Sequence, residues 1–63
     1  MKNMEVREKM RLKRIFNYEV AEAMGMSESA FSRKLRKELP QEEKMKILEV
    51  IQRLVNQEKL EVV

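Results

Sequence analysis

Neither cysteine nor histidine occurs in this 63-residue chain. Without cysteine no disulfide framework can form, and a reducing compartment, the cytoplasm, is the expected location. Without histidine as well, the usual zinc ligands and the side chain that titrates near neutral pH are missing, so neither a metal nor a cofactor is expected. Serines are present, but no ordinary nucleophile–base pair can be built around them. An enzyme is therefore not expected. Long apolar runs are lacking too. No stretch reaches the length that spans a bilayer, and the opening MKNMEVREKMR is too charged for the apolar heart of a signal peptide. No membrane partner is expected.

Glycine and proline occur once each, against many Glu, Lys, Arg, Met and Leu. That composition, with few β-branched runs, predicts an all-α chain. At this length one domain, residues 1–63, is the expectation, and it buries only about 60% of its unfolded surface. The net charge of +3 is modest, but it is unevenly laid out. Residues 1–18 sum to +4, residues 19–32 to −3, residues 33–37 to +4, and the remainder to −2. Positive charge sits in two blocks.

Spacing predicts four helices. The first covers residues 3–13, with Val6 and Met10 as its buried pair and Leu12 pointing elsewhere; Ile15 and Phe16 form an apolar joint after it. The second covers residues 17–24, with Val20 and Met24 inward and Ala21 keeping one spot thin. Gly25 suits the residue just past a helix end, where the backbone turns left-handed. Ser27 suits the cap of a third helix, and Glu28 its positive end. In that helix Phe31 and Leu35 set the inward direction. At 100° per residue, Ser29, Ser32, Arg33 and Arg36 fall on the opposite face. The reader is expected over residues 17–38, ended by Leu39-Pro40. Pro40 then opens a closing helix over residues 40–57, with Met45, Ile47, Leu48, Ile51, Leu54 and Val55 as its apolar stripe. Residues 58–63 are expected as a tail.

Helix, glycine turn, apolar plug at Met26, serine cap, and a second helix with one apolar and one basic polar face is the layout of a helix-turn-helix. The residues that carry it are Val20-Ala21, Met24-Gly25-Met26-Ser27 and Phe31-Ser32-Arg33. Here the chain resembles the Cro/repressor (xenobiotic-response-element) class of regulators. The stretch from Phe31 to Pro40 looks especially like small phage-type regulators of Gram-positive bacteria. The resemblance implies a compact, four-helix, lambda-repressor-like domain that binds double-stranded DNA through the major groove. It implies that Asn17 touches a phosphate, that Glu28, Ser29 and Arg33 face bases, and that Ser32 and Arg36 face the backbone or groove edge. It departs from the family at Lys34, where an aliphatic residue is common and Leu35 takes over the packing. It departs again at Arg14, where glycine is common.

The residue chemistry has its own alternatives. Arg33 can bond guanine O6 and N7 together. Glu28 can accept from cytosine N4, or simply favour the helix dipole. Ser29 and Ser32 can reach phosphates or nothing. Tyr18 can bond a phosphate or pack partly into the core. Lys37 joins Arg36 and Asn17 as a backbone contact, and the basic run is alternatively a solvated helix end. Arg7, Lys9, Arg11, Lys13 and Arg14 could flank the DNA backbone or be simply solvated, since one helix cannot aim all of them at one duplex. Either a homodimer on a symmetric site or a partner protein is expected to complete the assembly, through the fourth helix and the tail. The rival readings are a helical protein-interaction module, such as an antirepressor or adaptor, and an excisionase-like architectural DNA-binding protein.

Overall fold

The computed structural model describes the backbone of residues 2–62 and the side chains of residues 2–57. Among them lie four helices: α1 (Met4–Lys13), α2 (Asn17–Ala23), α3 (Glu28–Lys34) and α4 (Gln41–Val62). No helix among the described residues is long and apolar enough to cross a membrane.

Each helix contributes a short apolar set to one core. Val6 and Met10 come from α1, Val20 and Ala21 from α2, Phe31 from α3, and Ile47, Ile51 and Val55 from α4, with Ile15, Leu35 and Leu39 added from the connections. Full burial of a side chain such as Phe31 or Leu35 contributes about 1.5–3 kcal/mol. Helix α4 lies across α1 and α2, and α2 in turn carries α3. Met45 departs from the expected stripe: it is 60% exposed, because it lies off the face that Ile47, Ile51 and Val55 share. Leu48, Val50 and Leu54 pack at the margin of the core. Helix α4 starts after Pro40, whose carbonyl accepts from Lys44 N–H at 3.0 Å. Residues 58–62, expected as a tail, continue this helix. The side chains of Leu60, Val62 and Val63, expected in a dimer contact, fall outside the described residues.

The third helix is shorter than the sequence predicts. It ends at Lys34 rather than near residue 38, so Arg36 and Lys37 sit on the turn beyond it. The cause comes from the other end of the chain. Asn3 is fully buried, and its Nδ2 donates to the carbonyls of Leu35 and Lys37, at 2.9 Å each. Its Oδ1 accepts from Leu39 N–H at 2.9 Å, and its own N–H donates to Glu38 Oε1 at 2.9 Å. Arg7 Nη2 adds a bond to the Leu35 carbonyl at 3.2 Å. Carbonyls at a helix end need partners, and here a distant side chain supplies them. The chain turns outward as a result. Asn3 sits at φ 58°, in the left-handed region that asparagine tolerates better than most residues.

Lys44 completes this clasp. It is nearly buried on α4 and pairs with Glu38 and, at 3.4 Å, with Glu5. The Lys44 hydrogen bond, aided by Asn3 N–H, holds the Glu38 carboxyl below the usual carboxylate range. The same bond to Glu38 raises the Lys44 ammonium above its ordinary value.

Replacing Asn3 with Ala removes three side-chain bonds, two of them buried, and should cost about 2–4 kcal/mol in urea unfolding. A domain this small holds only about 3–9 kcal/mol in total. Asn3→Asp should lose nearly as much, since its second oxygen faces two carbonyls. A loss under about 0.5 kcal/mol would contradict the clasp.

The pair also sets a pH dependence. Glu38, depressed by folding, stabilises at pH above the usual carboxylate range, and that stabilisation is lost as pH falls through the lowered value. Lys44, raised by folding, stabilises below the ordinary lysine value and loses this as pH rises through the raised one. The urea midpoint should therefore fall on acidification, and Glu38→Gln should flatten that acid limb. An unchanged acid limb in the variant would contradict the assignment.

Candidate nucleic-acid interface

Two turns aim the candidate surface, and they share one hydrogen-bond pattern. After α2, Gly25 N–H donates to the Glu22 carbonyl at 3.1 Å and Met26 N–H to the Ala21 carbonyl at 2.9 Å, with Gly25 at φ 72°. This is a Schellman turn, which closes a helix through one left-handed residue. After α1 the same pattern appears. Arg14 N–H donates to the Arg11 carbonyl at 3.2 Å and Ile15 N–H to the Met10 carbonyl at 2.8 Å, with Arg14 at φ 57°. Ile15 and Met10 are both buried at this corner, the apolar contact that commonly accompanies the motif. One turn uses glycine and the other arginine.

The glycine turn hands the chain to Ser27, which is extended and whose Oγ accepts from Ala30 N–H at 3.2 Å. That cap starts α3 with Phe31 and Leu35 inward, both essentially inaccessible to solvent. Their burial fixes the rotation of the helix. Glu28, Ser29, Ser32, Arg33 and Arg36 consequently line one open depression on the outer side. The expected outward set of Ser29, Ser32, Arg33 and Arg36 is brought together, and Glu28 joins it. Ser32 is half-buried, and the other four are exposed. Among the described residues, neither Arg33 nor Arg36 takes an ion pair, whereas Lys34 is held by Glu43 at 3.1 Å. The guanidinium groups of Arg33 and Arg36 keep their donors available.

Other expected residues fare differently. Asn17 opens α2 half-buried, its Nδ2 at 3.5 Å from Ser32 Oγ, a weak contact that ties the start of α2 to the outer face of α3. Lys37 is exposed but lies beyond α3 and does not line the depression. Arg7 is half-buried and held in place, its Nε donating to the Lys2 carbonyl at 3.0 Å and Nη2 to the Leu35 carbonyl at 3.2 Å, with no ion pair among the described residues.

Two aromatic residues lie outside the core. Tyr18 is 54% exposed, which argues against partial core packing, one of its two expected roles, and Phe16 of the expected Ile15–Phe16 apolar joint is 62% exposed. Only Ile15 turns inward, because adjacent residues leaving a tight turn cannot both face one side. The Phe16 and Tyr18 rings stack on each other, centroids 6.0 Å apart and nearly parallel at 9°. Glu19 Oε1 accepts the Phe16 N–H at 2.9 Å and so fixes the start of α2. Among the described residues no group of three or more His, Cys, Asp or Glu is placed to hold a metal ion.

The two Schellman turns can be compared directly by mutation. A Cβ on Gly25 would meet nothing within 4 Å, so Gly25→Ala should cost about 1 kcal/mol through backbone strain alone. Arg14→Gly removes that strain but loosens the unfolded chain, for a net gain of about 0.5 kcal/mol. Thermal unfolding that showed both variants destabilised alike would contradict the left-handed assignment at Arg14.

A scan against protein-family models, a search of curated proteins and a search of solved structures each found no match to this chain. The case for a function therefore rests on the surface just described.

Proposed function

We propose that this protein is a sequence-specific, double-stranded-DNA-binding transcriptional regulator of the phage or mobile-element kind, with α2 and α3 acting as a helix-turn-helix. One observation carries the reading: the outer side of α3 gathers Ser29, Ser32, Arg33 and Arg36 in a single open depression while Phe31 and Leu35 hold the inner side fast. A major groove admits an α-helix. A short helix anchored by two buried residues presents its polar edge rigidly, and rigidity of the reading element favours specificity.

In this mechanism α3 enters the groove and Arg33 bonds one guanine through both of its acceptors. Ser29 and Glu28, nearer the start of α3, face neighbouring base edges. Ser32, Arg36, Lys37, Asn17 and Tyr18 hold the sugar–phosphate strands and set the register. The position of Arg36 and Lys37 on the turn after α3 suits this role, since a helix lying in the groove brings its flanking turn to the groove wall. A reader with so few base contacts gains from pairing on a symmetric site, with α4 as the joining element. The carboxylate of Glu28 supports the rival, a protein-interaction module, because it stands in the same depression as the arginines.

Arg33→Ala should cost about 1–3 kcal/mol on the preferred site and blur preference at one base pair. Arg36→Ala should weaken binding to all sequences alike and lower the salt slope by about one. Fluorescence-anisotropy titrations across salt concentration and across single-base site variants separate the two. Full affinity and unchanged preference in Arg33→Ala would remove it from the base-reading set.

A further inference from the structure

Among the described residues the Phe16 and Tyr18 rings stack only on each other. These are two of only three aromatic residues in the chain, and both are more than half exposed. Exposed aromatic clusters mark contact surfaces on soluble domains. With Asn17 and Glu28 they border a shallow depression, and Glu28 also borders the depression that holds Arg33 and Arg36. The aromatic shelf is thus continuous with the outer side of α3. Arg7 borders the same depression as the rings, and Lys13 and Arg14, both exposed and, like Arg7, without an ion pair among the described residues, stand just before Ile15-Phe16 in the chain. Of the two carboxylates on α2, Glu19 is tied to Phe16 N–H and Glu22 does not border the depression. Aromatic faces beside unpaired cations match a strand that alternates apolar sugar with anionic phosphate.

We propose that Phe16 and Tyr18 form a non-ionic shelf for the sugar–phosphate strand beside the site read by α3, the rings packing on deoxyribose and the Tyr18 hydroxyl donating to a phosphate oxygen. This rests on the DNA-binding reading and deepens the Tyr18 contact proposed there, adding the Phe16 ring and the packing of both rings on sugar. Such a contact releases no counterion, so it strengthens binding without adding to the salt dependence.

The chain has one tyrosine and no tryptophan, so its intrinsic fluorescence reports on Tyr18 alone. The full chain is titrated with a random-sequence duplex DNA pool at several salt concentrations. The variants are Phe16→Ala, Tyr18→Phe and the double Phe16→Ala/Tyr18→Ala, each checked for unchanged helicity and urea midpoint. The expected result is a change in tyrosine emission of the parent on binding. The double variant should bind about tenfold more weakly at every salt concentration, with the parent's slope kept. Parental affinity in the double variant, with tyrosine emission indifferent to DNA, would overturn the shelf while leaving the α3 reading intact. So would a reduced salt slope, which would make the contact ionic. Self-association of the parent that the double variant abolishes, with DNA affinity unchanged, would make the shelf a protein contact and overturn the proposal. A parent that binds no duplex at all would instead bring down the DNA-binding reading and the shelf with it.

Discussion

A single asparagine amide near the start of the chain sets the geometry of the rest. By taking the carbonyls of Leu35 and Lys37 and returning an acceptor to Leu39 N–H, Asn3 closes α3 after two turns and fixes the path into α4. The bonds span more than thirty residues of sequence, so they act as a cross-link in a chain that has no cysteine. Glu38 and Lys44 extend the clasp to α4, and Arg7 extends it to α1. Because these polar groups are partnered, their burial costs little, whereas any one left alone would cost the desolvation of its neighbours as well.

That clasp works together with a small core. Helix α3 contributes only Phe31, with Leu35 at its end, and packs chiefly on α2. A two-turn helix has little stability of its own. Its orientation depends on a buried ring at one end of the stripe, the serine cap at its start and the Asn3 amide at its finish. These three anchors leave the outer side uncommitted to the fold. Arg33 and Arg36 remain without an ion pair among the described residues, and Ser29 remains exposed. The fold therefore spends its contacts on one side of α3 and leaves chemistry on the other.

Local signals made much of this legible. Gly25 and Ser27 mark their turn and cap because each acts on backbone within a few residues. Val20, Phe31 and Ile47 reveal their inward direction through helical spacing. The N-terminal clasp left no such trace: a lone asparagine in a polar stretch reads as a helix start, and Glu38 and Lys44 read as solvated charges. Local spacing therefore overstates the length of α3, since its end is set by a residue from the opposite end of the chain. Phe16 shows a different limit. Hydrophobicity alone places it beside Ile15 in the core, but the left-handed Arg14 aims Ile15 inward and Phe16 outward. Arg14 closes α1 at φ 57°, a left-handed position that glycine adopts at less cost, and no local sequence signal marks it.

The central claim is that the polar side of α3 recognises a short duplex sequence. Selection of the 63-residue chain against a random duplex pool at near-physiological salt tests it most directly. The account predicts enrichment of a short motif containing a guanine that cannot be varied, with affinity that falls as salt rises. Enrichment of nothing, with binding that is absent or indifferent to salt, would contradict it.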